Sequence, residues 1–181
     1  MSIMSMHTLV RMLHDRRYQD SGAFVAEVNR RLCEQATLGD DGFITLFYGV
    51  LHSDTHELCW TSAGHPLPLL QELDGGSPRP IGNDEESDLP LGIFPDVEYR
   101  SSRLVIPPRN RVLLYTDGLV DALSSEAGVD AYGLGGMTAT FCRTAARPLA
   151  EAMEALFNES HVFTQGLGRH DDTSVVLVER E

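Results

Sequence analysis

Two short acidic segments are the residues best suited to chemistry in this chain. Thr116-Asp117-Gly118 follows the apolar run Val112-Leu113-Leu114-Tyr115, and Asp171-Asp172 stands just before Ser174-Val175-Val176. Each sets a carboxylate at the end of an expected strand, where the backbone is held rigidly. A hard divalent cation such as Mg²⁺ or Mn²⁺ takes oxygen ligands at fixed positions, and carboxylates that would repel one another are held together by the cation between them. Gly118 lets water or a substrate approach the backbone closely. The alternative is plain turn chemistry, because Asp and Gly favour turns for reasons unrelated to catalysis. Spacing alone leaves both readings open.

Other reactive residue types offer less. His65, between Gly64 and Pro66, invites a ligand or general-acid reading, but two hard cations prefer oxygen, so its ring is expected to fix its own loop by hydrogen bonding. His52 and His56 stand four apart, yet the intervening Ser53-Asp54-Thr55 reads as a hairpin turn, which does not place both rings on one helical face. Ser62 and Ser174 lie in no Gly-x-Ser-x-Gly elbow, which argues against a serine hydrolase. Cys33, Cys59 and Cys142 are odd in number and widely spaced, which indicates neither a disulfide framework nor a zinc cluster. Gly39-Asp40-Asp41-Gly42 has acids but reads as a solvated turn.

The elements that must position the acidic turns follow from periodicity. Met6, Leu9, Val10 and Leu13 fall on one helical face, predicting a helix over 3–13. Phe24, Val25, Val28 and Leu32 predict a second, with Ser21 as its cap. Phe43 to Leu51 is aromatic and β-branched on both faces and reads as a central strand buried on each side. Leu58 to Ser62 and Leu67 to Leu73 are strands interrupted by Ala63-Gly64-His65-Pro66. Asp74 to Asp88, rich in Gly, Pro, Ser and acids, reads as a mobile surface loop. Val97 to Ile106 alternates, and Arg111 to Tyr115 is a short buried strand running into Asp117. Tyr132 to Thr144 and Pro148 to Phe157 are helical, and Ser174 to Val178 is the last strand. This order predicts an α+β fold with helices packed on a sandwich of sheets.

A chain of 181 residues suits one compact domain, 1–181. Lys and Arg number 14 against 27 Asp and Glu, a net charge of -13, which argues against a nucleic-acid partner because phosphate backbones demand a basic stripe. No run approaches the roughly eighteen apolar residues of a membrane span, and no signal-peptide pattern opens the chain. A cytoplasmic protein with no membrane partner is expected.

Taken in order, Phe43-Ile44-Thr45-Leu46-Phe47-Tyr48-Gly49-Val50-Leu51, Thr61-Ser62-Ala63-Gly64-His65-Pro66, Pro90-Leu91-Gly92, Leu113-Leu114-Tyr115-Thr116-Asp117-Gly118 and Asp171-Asp172-Thr173-Ser174 resemble the bacterial sporulation-type (SpoIIE/RsbU-type) branch of the protein phosphatase 2C superfamily. The resemblance covers nearly the whole chain. It implies an α-β-β-α sandwich of two antiparallel sheets flanked by helices, with a two-metal Mn²⁺ or Mg²⁺ site. It also implies hydrolysis of phosphoserine or phosphothreonine by a metal-activated water, without a covalent phosphoenzyme. By resemblance Asp117 and Asp171 bind metal, with Gly118 and Asp172 supporting them. The implied substrate is a phosphorylated regulatory protein such as an anti-anti-sigma factor.

One departure qualifies this expectation. The branch carries, upstream, a Gly-Asp-x-x-Asp strand and an Asp-x-x-Gly-His-Gly turn that supply further metal carboxylates, and this sequence contains neither. Relative to the family the domain is therefore expected to be N-terminally incomplete. Rival readings are a non-catalytic phosphatase-like interaction module and an inactive fragment of a longer signalling phosphatase. Uncovered sheet edges and apolar faces would favour a homodimer.

Overall fold

The structure, a computed structural model, describes residues 20–34, 42–83, 86–122, 132–164 and 172–181. The predicted helix over 3–13 and Gly39-Asp40-Asp41 lie outside the described residues. The described residues form two compact units. One comprises those up to His65 together with Gly82–Val105, and the other those of Pro66–Ile81 and Ile106–Glu181.

In the first unit, helix α1 (Ser21–Glu34) lays Phe24, Val25, Val28 and Leu32, each at most 1% exposed, against β1 (Leu46–His52) and β2 (Glu57–Ala63). Ala63, Leu91 and Tyr99 complete this core, and the Phe24 and Tyr48 rings stack at 4.2 Å. The cap of α1 is Asp20, whose Oδ1 accepts the Ala23 N–H at 2.6 Å, and not the expected Ser21. Ser21 is buried one position inside the helix, and its hydroxyl is engaged by Thr61 Oγ1 at 2.8 Å.

β1 and β2 form an antiparallel hairpin whose turn holds Ser53-Asp54-Thr55, as expected, with His56 at a φ of 55°. The far side of β2 pairs with β6 (Ser102–Val105) and, over two residues in parallel, with β5 (Ser87–Asp88). The reading of Phe43 to Leu51 as a central strand is corrected here. The strand begins at Leu46, pairs along its length with β2 alone among the described strands, and leaves Phe43 60% and Leu51 42% exposed. Apolar residues on both faces do not distinguish a central strand from an outer one; the hydrogen-bonding partners do. β2, with Trp60, Thr61, Ser62 and Ala63 buried, takes the central place.

The second unit holds an antiparallel sheet in the order β4-β3-β7-β8, built from β3 (Leu69–Glu72), β4 (Arg79–Pro80), β7 (Asn110–Tyr115) and β8 (Val175–Arg180). β7 is the buried strand expected from Arg111 to Tyr115. Helices α2 (Gly133–Arg143) and α3 (Leu149–Phe163) pack on each other, and α3 packs on β8. Leu69, Leu113, Tyr115, Leu119, Met137, Phe141 and Leu156 form the core. Pro148 immediately precedes α3, as its position predicted. The helix outruns the predicted end at Phe157 because its inward row continues through Ser160, a buried polar residue that an apolar-periodicity reading skips.

The segment Asp74 to Asp88, expected to be a loop, contributes β4 and β5. Its anchor is Ile81, 3% exposed, whose N–H donates to Pro68 O at 2.7 Å. The expected α+β class is borne out, with two sheets and their covering helices. The two-residue β2–β5 contact and the isolated Leu46↔Gly64 bridge are parallel, whereas the other described strand pairs are antiparallel.

Candidate metal centre

Antiparallel pairing of β7 with β8 runs from Asn110↔Arg180 to Tyr115↔Val175. The exit of β7 therefore lies beside the start of β8. Asp117 follows Tyr115 by two residues and Asp172 precedes Val175 by three, so both acidic segments leave the sheet at the same end.

Thr116 joins them. Its N–H donates to Ser174 O at 3.1 Å, its hydroxyl donates to Asp172 O at 3.1 Å, and the same oxygen accepts the Ser174 N–H at 2.9 Å. The sequence reading assigned Thr116 no role because its side chain carries no charge and cannot be told from an ordinary strand residue. Only its partners, 56 and 58 positions away, reveal what it holds.

The turn carrying Asp117 is a short 3₁₀ segment, Asp117–Leu119. Its carbonyl accepts the Val120 and Asp121 N–H groups, both at 2.8 Å, while Gly118 N–H donates to Asp117 Oδ1 at 3.0 Å. Gly118 and Leu119 are buried beneath it, and the Asp117 side chain is exposed. The carboxylate is thus held on a closed turn and directed to solvent. Asp121, also exposed, lies on the same turn, and its Asp-x-x-x-Asp spacing from Asp117 is the sequence signal that accompanies it.

Asp172 is exposed and Asp171 lies outside the described residues. In kind, the residues present suit a hard cation, since the donors at this end of the sheet are carboxylate oxygens. In number they fall short: among the described residues no group of three or more His, Cys, Asp or Glu is gathered to hold a metal ion.

The glycine-rich motifs of the first unit do different work. His65 Nδ1 lies 3.4 Å from Thr45 Oγ1, just before β1, and the His65 carbonyl accepts the Ser62 hydroxyl at 3.0 Å, so it is the backbone of His65 that makes this loop bond rather than the ring expected to do so. Asn29, fully buried on α1, accepts the Gly92 N–H at 2.8 Å and donates to Phe94 O at 2.7 Å, while Leu91 exchanges both backbone hydrogen bonds with Ile44. Pro90-Leu91-Gly92 is therefore a clamp between α1 and the chain leading into β1. His52 and His56 flank the hairpin turn, as expected.

Two sheets with covering helices make a mixed fold similar to that of PP2C phosphatase domains. The match to the family described as Stage II sporulation protein E (SpoIIE) runs over residues 1–181, and the chain belongs to that family. Phosphoserine phosphatase RsbP of Bacillus subtilis (strain 168) is 32% identical over 83 residues, which cover 46% of this chain and 20% of RsbP. The chain thus matches about a fifth of that relative's length. Among solved structures, the SiaA-PP2C domain of Pseudomonas aeruginosa is similar at a TM-score of 0.77 and 17% identity, covering 97% of this chain and 69% of that one. The RsbU and RsbW domains of Rv1364c from Mycobacterium tuberculosis give 0.71 and 22%, covering 97% and 46%. Likeness at these identities establishes the fold. Among the described residues no helix is long and apolar enough to cross a membrane.

Proposed function

We propose that this chain is a metal-dependent protein serine/threonine phosphatase domain acting on phosphoserine or phosphothreonine of a cytoplasmic regulatory partner, with an anti-anti-sigma factor as the substrate class. Asp117 and Asp171 are the proposed carboxylate ligands of a Mn²⁺ or Mg²⁺ ion, with Gly118 and Asp172 as their immediate support. The observation that carries this reading is the Thr116 junction, which draws the two acidic segments to one end of the sheet in a chain of the SpoIIE family. A divalent cation there would supply Lewis acidity toward phosphoryl oxygens and lower the pKa of water. The protein's own part is to hold carboxylates of fixed spacing on strand ends, with Asp117 directed to solvent, where a phosphorylated side chain of another protein can reach it.

The competing reading, a non-catalytic interaction module, is favoured by there being no gathered group of three His, Cys, Asp or Glu among the described residues. Hydrolysis of a phosphoserine peptide by the 181-residue chain, titrated with Mn²⁺, separates the two. Slow, Mn²⁺-dependent turnover that falls at least about tenfold in Asp117→Asn supports the phosphatase; equal rates with and without Mn²⁺ and in both proteins support the module. The homodimer expected from the sequence would use the outer edge of β1, and it requires a melting temperature that rises with protein concentration.

A further inference from the structure

Strand β8 closes one side of the second unit's sheet: β7 pairs it on one edge, and no other described strand pairs it on the other. The ladder fixes which backbone groups this leaves open. Leu73 N–H donates to Arg109 O at 2.9 Å and Thr116 N–H to Ser174 O at 3.1 Å, so odd-numbered residues along β7 face β3 and even-numbered ones face β8. Val176, Val178 and Arg180 therefore bond toward β7. The N–H and C=O groups of Val175, Leu177 and Glu179 point to the free edge. Proteins ordinarily blunt such an edge with proline, a bulge or a mid-strand charge, but β8 carries none of these before Glu179, and its register with β7 is unbroken.

The helix beside this edge makes a groove of it. α2 lies over β3, where Gln71 donates to Phe141 O at 2.5 Å, whereas α3 packs on β8, the outermost strand. Glu159 of α3 turns toward α2 and meets Thr140 and Arg143 there. Leu149 and Met153, one turn apart, stand about 80° and 120° round the helix from Glu159, on the side away from α2. They are 37% and 38% exposed. Arg111 bonds both Arg147 O, just ahead of α3, and Glu179, so this apolar row flanks the Leu177–Glu179 half of the strand. Val175 and Leu177 turn their side chains to the same face of the sheet, into the core that Leu156 of α3 shares. The nearby cations are engaged elsewhere: Arg143 and Arg147 act on Glu159, Arg180 donates to Ile106 O, and Arg111 is buried. Glu154 and Glu181 stand exposed, in a chain of net charge -13.

We propose that the free edge of β8 and the flank of α3 form a docking groove for an extended segment of another protein, added antiparallel to β8, with an apolar run and basic residues at its ends. Unpaired backbone groups in a row are matched by an extended backbone, which sets the occupant's conformation. Residues opposite Val175, Leu177 and Glu179 lie on their face of the sheet, so the occupant's side chains there meet Leu149 and Met153, and the same residues donate its bonding N–H groups. Charge selects the partner. A second copy of β8 would bring Glu154, Glu179 and Glu181 against the same acids, whereas basic ends are attracted by them. Nothing in this groove depends on a cation at the acidic turns.

The test is fluorescence anisotropy of a labelled peptide, an alternating Val-Thr run with arginines at both ends, titrated with the 181-residue chain. Three further peptides are compared with it: the same run with glutamates at both ends, and the arginine form N-methylated either on every Val amide or on every Thr amide. The arginine-ended peptide should bind saturably, and the glutamate-ended one at least about tenfold more weakly. Methylation of the Val amides should abolish binding, and methylation of the Thr amides should leave it within about twofold, because only one edge of an added strand bonds β8. Met153→Arg should weaken the arginine-ended peptide by at least about tenfold, while Leu51→Arg on β1 leaves it unchanged. Thermal melting shows that each variant folds; should Met153→Arg not fold, Glu154→Arg, at an exposed position of the same helix, takes its place.

Equal binding of the two methylated peptides, or loss on methylation of Thr in place of Val, would overturn antiparallel addition to this edge. Loss of binding in Leu51→Arg with none in Met153→Arg would move the groove to β1 and overturn the proposal. No saturable binding at millimolar peptide would overturn it outright. A concentration-dependent dimer of the unmodified chain that Met153→Arg abolishes would give the edge to a second copy and overturn the assignment of a basic-ended partner.

Discussion

Gly64 and Pro90 are in mutual contact at a point where neither can yield: a Cβ placed on Gly64 would lie 2.5 Å from Pro90 Cγ and 3.0 Å from its Cδ, and Gly64 has a φ of 67°. Ala63-Gly64-His65 and Pro90-Leu91-Gly92 are thus one packed feature of the first unit, tied further by the Gly64 N–H to Asp88 O bond of 2.8 Å. Gly64→Ala should destabilise by about 2–4 kcal/mol, combining left-handed backbone strain with overpacking. Pro90→Ala in the same chain should recover the overpacking part, giving a non-additive cycle in urea midpoints. Strict additivity would show that the backbone conformation alone makes glycine necessary.

Arg111 is 1% exposed at the centre of the second unit. Its guanidinium donates to Glu179 on β8, to Thr144 O at 3.3 Å and to Arg147 O at 2.9 Å, joining the sheet to the connection between α2 and α3. Glu179→Gln keeps an acceptor and should cost little, whereas Glu179→Leu leaves a buried cation unpaired and should cost about 3–5 kcal/mol. Denaturant unfolding of both variants measures the difference. Equal losses would show that the carbonyl contacts alone satisfy Arg111.

Acid should weaken the α2–α3 pair through Glu159. A hydrogen bond from Arg143 holds the Glu159 carboxyl below its ordinary value of 4.5. With the folded value lowered, the stabilisation is full above about pH 4.5 and is lost as pH falls through the folded value. Glu159→Gln should therefore show a shallower decline of melting temperature below pH 4.5 than the unmodified chain. A parallel decline would place the acid sensitivity elsewhere.

Alkali should act through buried tyrosines. Burial raises the Tyr99, Tyr115 and Tyr132 hydroxyls above their ordinary value of 10, so their contribution is intact below about pH 10 and lost as pH rises toward the folded values. Tyr99 is 8% exposed and its hydroxyl has no hydrogen-bond partner among the described residues. Tyr99→Phe should accordingly be neutral or stabilising by up to about 1 kcal/mol at pH 7, and should flatten the loss of stability above pH 10. A loss of more than about 1 kcal/mol at neutral pH would mean that the hydroxyl is bonded in solution.

What the sequence determined by itself is the set of local patterns: the apolar stripe of α1, the short buried strand that runs into Asp117, proline ahead of α3, the hairpin turn between His52 and Glu57, and the motif order that identifies the family. These depend on neighbours a few residues apart, so periodicity and turn chemistry suffice to read them. Non-local pairing was left to the tertiary structure. It decided that, among the described strands, β1 is an outer one and β2 a central one, that Ser21 is occupied by Thr61 and Asp20 caps α1, and that Asp74 to Asp88 contributes two short strands. For the site, sequence named the acidic turns, but only the β7–β8 register sets Asp117 and Asp172 at one sheet end and only the Thr116 hydroxyl shows what ties them. A hydrogen bond spanning 56 residues leaves no periodicity in the chain, because its two ends are neighbours only after the sheet has formed.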